Sequence, residues 1–297
     1  MTSLTAPARI PSASLVQLGL AVVLLGASWP VTKVALADGA GPAWFALGRA
    51  GLSAIVAGVA VAAGPGLRLP GRQDMPALLG LGLLQLAGFF TLAHEAVAWV
   101  PAGRTAVLSN ATLVWTVPIT LLITNEGISN RRWAASAVAV AGVVVLVGPW
   151  AIDWTSRTDL LGHLFLLGAA LCWALTMAIV RRWPPLLSMF GLLPWAFGLA
   201  TLALLPQALA HGLGQWTPAG LWCLAFIGLV MAPIGTWCVM ATTALPLMVA
   251  SVGFLAGPVV SLLLSTVWLG EPLTVPVLLG AALLLGGASI ALTSGRA

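Results

Sequence analysis

Three observations predict an all-α integral membrane protein of ten transmembrane helices, built as a 5+5 inverted-topology repeat around a central cavity with both termini cytoplasmic. They are ten apolar runs of membrane-crossing length, a one-sided distribution of arginine between them, and a weak internal repeat at a shift of 145 residues. Hydrophobic residues make up 60% of the 297 and charged residues 6%, against about one quarter charged in a soluble domain. Water is therefore excluded as the main solvent of this chain.

A helix needs about 20 apolar residues to cross the hydrocarbon core. Runs of that kind fall near 14–37, 43–63, 76–98, 102–124, 132–148, 160–181, 187–210, 218–243, 247–269 and 273–293. The first follows Arg9 and superficially looks like a secretion signal, but the stretch from Leu15 to Ala37 is too long for one. The linkers are short and rich in Pro, Gly and Asp, leaving no room for a soluble domain. The two repeats are expected at 14–148 and 160–293.

Orientation follows from arginine, which is retained on the cytoplasmic side. With an inside N-terminus, the cytoplasmic segments hold Arg9, Arg68, Arg72, Arg131, Arg132, Arg181, Arg182 and Arg296, while the outer loops hold Arg157, with Arg104 at a rim. The formal charge of +5 is thus spread in ones and twos between apolar runs, which sets topology and builds no nucleic-acid face. Trp44, Trp99, Trp133, Trp150, Trp154, Trp183 and Trp216 fall at helix ends, where indole anchors in the headgroup layer.

The shift of 145 places Thr91 on Thr236, Ala96 on Ala241, Pro101 on Pro246, Glu126 on Glu271 and Gly142 on Gly287. A shift of 144 places Trp29 on Trp173 and Thr32 on Thr176. Five spans per repeat is an odd number, so the second copy must be inverted, with a binding site near the midplane where the halves meet. Pro30, Pro118, Pro233 and Pro258 interrupt the first, fourth, eighth and ninth spans and free carbonyls toward a cavity.

Catalytic and metal chemistry find little here. Lys33 is the only lysine and no phosphate-binding Gly-rich loop ends in it, so the chain is not a P-loop ATPase. His94, His163 and His211 are far apart in sequence, and Cys172, Cys223 and Cys238 lie inside apolar runs as small hydrophobes. No metal site, cofactor or enzymatic activity is expected.

Thr105, Ser109, Thr112, Thr116 and Thr120 recur at helical spacing along the fourth span, with Asn110 beside them. They form either one wall of a hydrated cavity or a row of hydroxyls bonded back to their own helix or a neighbour. Ser251, Pro258, Ser261 and Ser265 make a thinner stripe in the ninth span, where Gly253 and Gly257 point to close helix packing. Trp29 and Trp173 sit on either side of the midplane, as cavity walls, paired gates or packing, with Trp115 and Trp237 as further candidates. Charges within membrane helices are functional candidates by default. Lys33, Arg49, His94, Glu95 and Arg104 all map to the outer half of the first repeat, whereas the second repeat offers Met177, Pro194, Val239, Met240 and Val249 there. The expectation is a polar outer vestibule; the alternative is long side chains reaching for the headgroups.

Trp29, Pro42 leading to Arg49, the run Val100-Pro101-Ala102-Gly103-Arg104, and Leu269-Gly270-Glu271-Pro272-Leu273-Thr274 before a Gly-rich last span together carry a resemblance. Over nearly its full length the chain resembles the drug/metabolite transporter superfamily, in its EamA-type ten-helix branch, and among these it is most similar to bacterial (aromatic) amino acid exporters of the YddG type. It departs from the family pattern at Pro30, where Gly is frequent, and before Glu126, which lacks the usual Gly. The resemblance implies helices 1 to 4 and 6 to 9 around a central cavity, with helices 5 and 10 peripheral. It also implies a secondary transporter of the bacterial inner membrane that exports amino acids and related metabolites by alternating access.

The cavity is then expected from Trp29, Thr32, Asn110, Thr112, Trp115, Trp173, Thr176 and Trp237. The expected partners are a small-molecule substrate, amino acids with aromatic ones among them, and the lipid bilayer. Nucleic acid and an ATPase subunit are not implied, and a homo-oligomer is left open. The alternatives are a drug or nucleotide-sugar carrier, a non-transporting membrane subunit, and an intramembrane enzyme.

Overall fold

In hydrocarbon no water satisfies the backbone, and a helix closes its N–H to C=O bonds within one segment. The computed structural model describes residues 12–119, 121–122, 129–148, 150, 153–231, 234 and 253–293. Their helices, in chain order, are α1 (Ser12–Ala37), α2 (Pro42–Ala63), α3 (Arg72–Trp99), α4 (Ala102–Ser109), α5 (Thr112–Ile119), α6 (Asn130–Val147), α7 (Arg157–Arg182), α8 (Met189–Ala210), α9 (Pro218–Met231), α10 (Ala256–Leu269) and α11 (Val275–Thr293). Among the described residues six of these, α1, α2, α3, α6, α7 and α8, are long and apolar enough to cross a membrane, and α9, α10 and α11 are shorter apolar helices.

Local chemistry sets the helix starts. Pro42 and Pro218 occupy first turns, where their missing N–H costs nothing. Ser129, Ser156, Ser188 and Thr217 cap α6, α7, α8 and α9 by accepting from the amides of Arg132, Asp159, Gly191 and Gly220.

Two elements differ from the sequence expectation. The fourth span is not one helix: α4 ends at Ser109 and α5 begins at Thr112. The cause is Asn110, whose side-chain amide donates to the Ala106 carbonyl at 2.7 Å. That carbonyl is the acceptor its own backbone N–H would need in an α-helix, and the N–H turns to Val107 instead. The hydroxyls of Thr105 and Ser109 also bond backward, to Pro101 and Ala106 carbonyls. The stripe is thus partly self-satisfied. The third span contains a wide-turned π-helical stretch over Gly80–Gly88, after which Phe89 resumes the α-helix. The Thr176 hydroxyl of α7 donates to the Gly80 carbonyl at 2.8 Å where that stretch begins.

Small residues bring the helices together. α2 lies along α8, α6 along α11, α3 along α7, and α1 along α10. Buried alanines of α2, Ala46, Ala50 and Ala57, cluster with Phe197, Ala200 and Leu204 of α8, and such small residues let backbones approach closely in a bilayer. At Gly26 a Cβ would stand 2.8 Å from the Gly257 carbonyl oxygen, and at Gly253 one would stand 2.5 Å from the Leu18 side chain. The Gly253/Gly257 pair therefore packs on α1. Gly26→Val is expected to push α1 off α10 and to lower stability by about 2 kcal/mol, the usual scale of overpacking. Thermal unfolding in detergent measures it, and an unchanged midpoint would mean that the two helices separate without cost.

Connections at the two ends of the bundle are tied in pairs. At one end the α1–α2 turn meets the α8–α9 turn: Gln215 N–H donates to Gly39 O at 2.8 Å, Gly41 N–H donates to Leu213 O at 3.2 Å, and Ala40 bridges Gly214. Gly214, at φ +73°, leaves no room for a side chain, since its Cβ would lie 2.3 Å from Gly39 O. At the other end the buried Asp74 carboxylate accepts from Gly71, Leu186 and Leu187 amides at 2.7 to 2.9 Å, joining the α2–α3 turn to the α7–α8 turn.

Candidate functional site

The bundle brings Trp29 and Trp173 together through a residue that sequence spacing does not single out. Trp29 on α1 stands 6.1 Å, centroid to centroid, from the Phe89 ring, and Trp173 on α7 meets the same ring edge-on at 5.4 Å. Phe89 follows directly on the π-helical stretch of α3. Wide turns of this kind are frequent at functional sites.

From Phe89 the aromatic row continues into the charged residues. Phe90 lies 6.2 Å from Phe89 and stacks on His94 at 5.4 Å with planes 13° apart. The Arg49 guanidinium of α2 sits 4.4 Å above the Phe90 ring, and its Nη1 is 3.4 Å from His94 Nε2. Arginine only donates, so Nε2 is the acceptor and the proton of a neutral imidazole is assigned to Nδ1. Both His94 Nδ1 and Arg49 Nε are buried with no hydrogen-bond partner among the described residues.

The remaining charges of the expected vestibule have other partners or neighbours. The Lys33 ammonium donates to the carbonyls of Val97, Ala98 and Val100 at 2.7, 3.2 and 3.1 Å, closing the C-terminus of α3. Beside it the Glu271 carboxylate accepts from the first amides of α4, Ala102 at 2.6 Å and Gly103 at 2.9 Å. Arg104 Nη1 is 3.4 Å from His163 Nε2, and His163 Nδ1 lies 2.7 Å from the Asp159 carbonyl oxygen. Glu95 is half-buried and makes no hydrogen bond or ion pair among the described residues; its electrostatic neighbour is His211 on the α8 side. One turn earlier the Thr91 hydroxyl donates to Gln207 of α8 at 2.7 Å.

Other candidates meet backbone. Thr32 donates to Ser28 O at 2.8 Å, Thr176 to Gly80 O and Cys172 O, and the Trp115 indole to Leu167 O at 2.9 Å. Asn110 and Thr112 line a small cavity of about 120 Å³ with Phe254, Pro258 and Leu284. Trp237 lies outside the described residues, as do Arg9, Thr120, Glu126, Pro233, Cys238, Ser251 and Arg296.

Exposure along one face of α7 changes toward its C-terminal end. Leu166, Ala170, Trp173 and Met177 are spaced by four, three and four residues and share one face. Leu166 and Ala170 are fully buried, Trp173 is 36% exposed and Met177 60%. Leu164, which faces away from the core, lies on the opposite side of the helix. The core-facing side of α7 thus becomes accessible toward its C-terminal end, with the Trp29–Phe89–Trp173 cluster at the boundary.

The sequence profile of the EamA-like transporter family matches this chain twice, over residues 14–148 and 160–293. The chain belongs to the EamA-like transporter family. It is a multi-pass membrane protein and a transporter by family. A probable terminal-alkyne amino-acid exporter of Streptantibioticus cattleyicolor is 28% identical over 274 residues, covering 90% of this chain and 89% of that protein. The uncharacterized transporter YvbV of Bacillus subtilis is 25% identical over 296 residues, covering 94% and 92%. A protein crystal structure superposes with a TM-score of 0.63 at 19% identity, covering 97% of this chain and all of the other, which is a likeness of fold.

Proposed function

We propose that this protein is a secondary transporter of the bacterial inner membrane that exports amino acids and related small metabolites, aromatic ones among them, by alternating access. The observation that carries the proposal is the α7 face, buried at Leu166 and Ala170 and exposed at Trp173 and Met177. A chamber open at one end and closed at the other is what one state of such a cycle requires. Trp29, Phe89 and Trp173 offer aromatic faces at its floor, and the terminal-alkyne amino-acid exporter supports the substrate class.

Helix direction supports the inverted 5+5 arrangement. α1 ends at the turn that pairs with the α8–α9 turn, and α7 ends at the turn that pairs with the α2–α3 turn, at the opposite end of the bundle. The two tied pairs of turns exchange under the 145-residue shift, and the family profile falls once on each half. With both termini cytoplasmic, the chamber opens to the cytoplasm, and the Lys33 and Glu271 caps lie at its closed outer end.

Two experiments test the proposal. In a cysteine-free background, a single cysteine at Arg182 is expected to resist an impermeant thiol reagent in intact cells, and one at Asp153 to react; the reverse pattern overturns the orientation. Purified protein in liposomes is expected to exchange labelled aromatic and aliphatic amino acids above the empty-liposome rate. Exchange of none of a broad panel would favour a non-transporting subunit.

A further inference from the structure

Arg49 lies about 10 Å along the α2 axis from Pro42, at ~1.5 Å per residue. An arginine at that depth has two ordinary fates, to reach back to the headgroups or to pair with a carboxylate. It does neither. Its guanidinium is laid across Phe90 and against His94, both buried. No carboxylate pairs with it among the described residues, and the acid next to His94 on α3, Glu95, has His211 as its electrostatic neighbour instead. The tautomer that Arg49 imposes on His94 leaves two buried donors, Arg49 Nε–H and His94 Nδ1–H, without an acceptor among the described residues. A buried cation with orphaned donors is costly unless something anionic completes it. Arg49 nevertheless keeps part of its surface accessible.

We propose that Arg49 and His94, held on Phe90, are a binding subsite for the carboxylate of a small organic anion whose apolar body runs along Phe90 and Phe89 toward Trp29 and Trp173. The inference rests on the transport proposal and narrows its substrate class. The planar fork of the Arg49 guanidinium, with its Nε–H unpaired among the described residues, suits a carboxylate. The aromatic row from Phe90 to Trp173 suits a flat or extended hydrophobic tail. Among the described residues no acidic side chain contacts this group, so the subsite demands the ligand's carboxylate and does not demand its ammonium. A des-amino acid is then as good a ligand as the amino acid.

The test uses the full-length purified protein and four probes of similar size: phenylalanine, 3-phenylpropanoate, phenylalaninamide and phenethylamine. The two carboxylates are expected to raise the thermal midpoint in detergent and to compete in liposome exchange, and the amide and amine to do neither. Arg49→Gln is expected to abolish the carboxylate-induced shift while leaving the ligand-free midpoint equal or higher, because it removes an uncompensated buried charge. A merely structural arginine would give the opposite, a lower ligand-free midpoint. Arg49→Lys, which keeps the charge and loses the fork, is expected to weaken carboxylate binding about tenfold, and His94→Gln to weaken it without abolishing it. Equal responses to carboxylates and amine in the wild type, or a carboxylate shift that survives in Arg49→Gln, overturn the subsite. If the wild type exchanges the amide or amine and not the carboxylates, transport stands and the subsite fails; if it exchanges nothing, both fail.

Discussion

Phe89→Ala is expected to reduce exchange of aromatic substrates to near the empty-liposome rate and to lower stability by about 3 kcal/mol, the scale of deleting a buried ring from a packed site. Phe89 is the ring on which Trp29 of the first half and Trp173 of the second both converge. Removing it leaves the two indoles without a common surface and opens the chamber floor toward the Ala50–Ala200 core of α2 and α8. Because loss of folding would also stop transport, Phe89→Leu is the informative partner. It fills most of the volume, so abundance in the membrane is expected to stay close to the wild type, while aromatic substrates lose more than aliphatic ones. Trp29→Ala should follow the same selectivity pattern. Trp150→Ala, exposed and bonded to Val145 O near the end of α6, should leave exchange unchanged. Equal loss of aromatic and aliphatic exchange in Phe89→Leu, in proportion to abundance, would make the cluster a packing element and remove it from the chamber.

How far the sequence reveals this site depends on which residues announce themselves. Trp29 and Trp173 stand out because the repeat register sets them in equivalent places. Phe89 and Phe90 do not, since a pair of phenylalanines in an apolar helix has the composition of any core. Their orientation also depends on the π-helical stretch before them, which shifts the phase of α3 and has no periodicity signal to betray it. Arg49 and His94 are legible as membrane charges, yet their contact joins α2 to α3 across 45 residues, and only packing can supply that. The break in the fourth span had a signal in Asn110, a residue that bonds its own backbone within apolar helices. The polar stripe masks it, because its five members keep helical spacing across the break. The six long helices and the small-residue faces between them follow directly from composition and length.

Lys33→Met is expected to cost about 3 kcal/mol of stability and to leave carboxylate selectivity intact, which separates it from Arg49. An ammonium has three donors, and Val97, Ala98 and Val100 occupy all of them. Nothing is left to meet a substrate. Methionine keeps the length and removes every bond, so three carbonyls at the end of α3 lose their partner in a part-buried place. Glu271→Gln is expected to cost about 1 kcal/mol, since the amide still accepts one of the two α4 hydrogen bonds and loses its charge at a helix N-terminus. The two side chains serve the same turn from opposite sides, a cation on the end of α3 and an anion on the start of α4, and they attract each other. A double-mutant cycle is therefore expected to be non-additive, with the pair costing less than the sum of the singles by about 0.5 kcal/mol or more. Additivity would show two independent caps. Loss of carboxylate selectivity in Lys33→Met, at normal abundance, would return Lys33 to the substrate pathway and show that its bonds to α3 are exchanged for the ligand during transport.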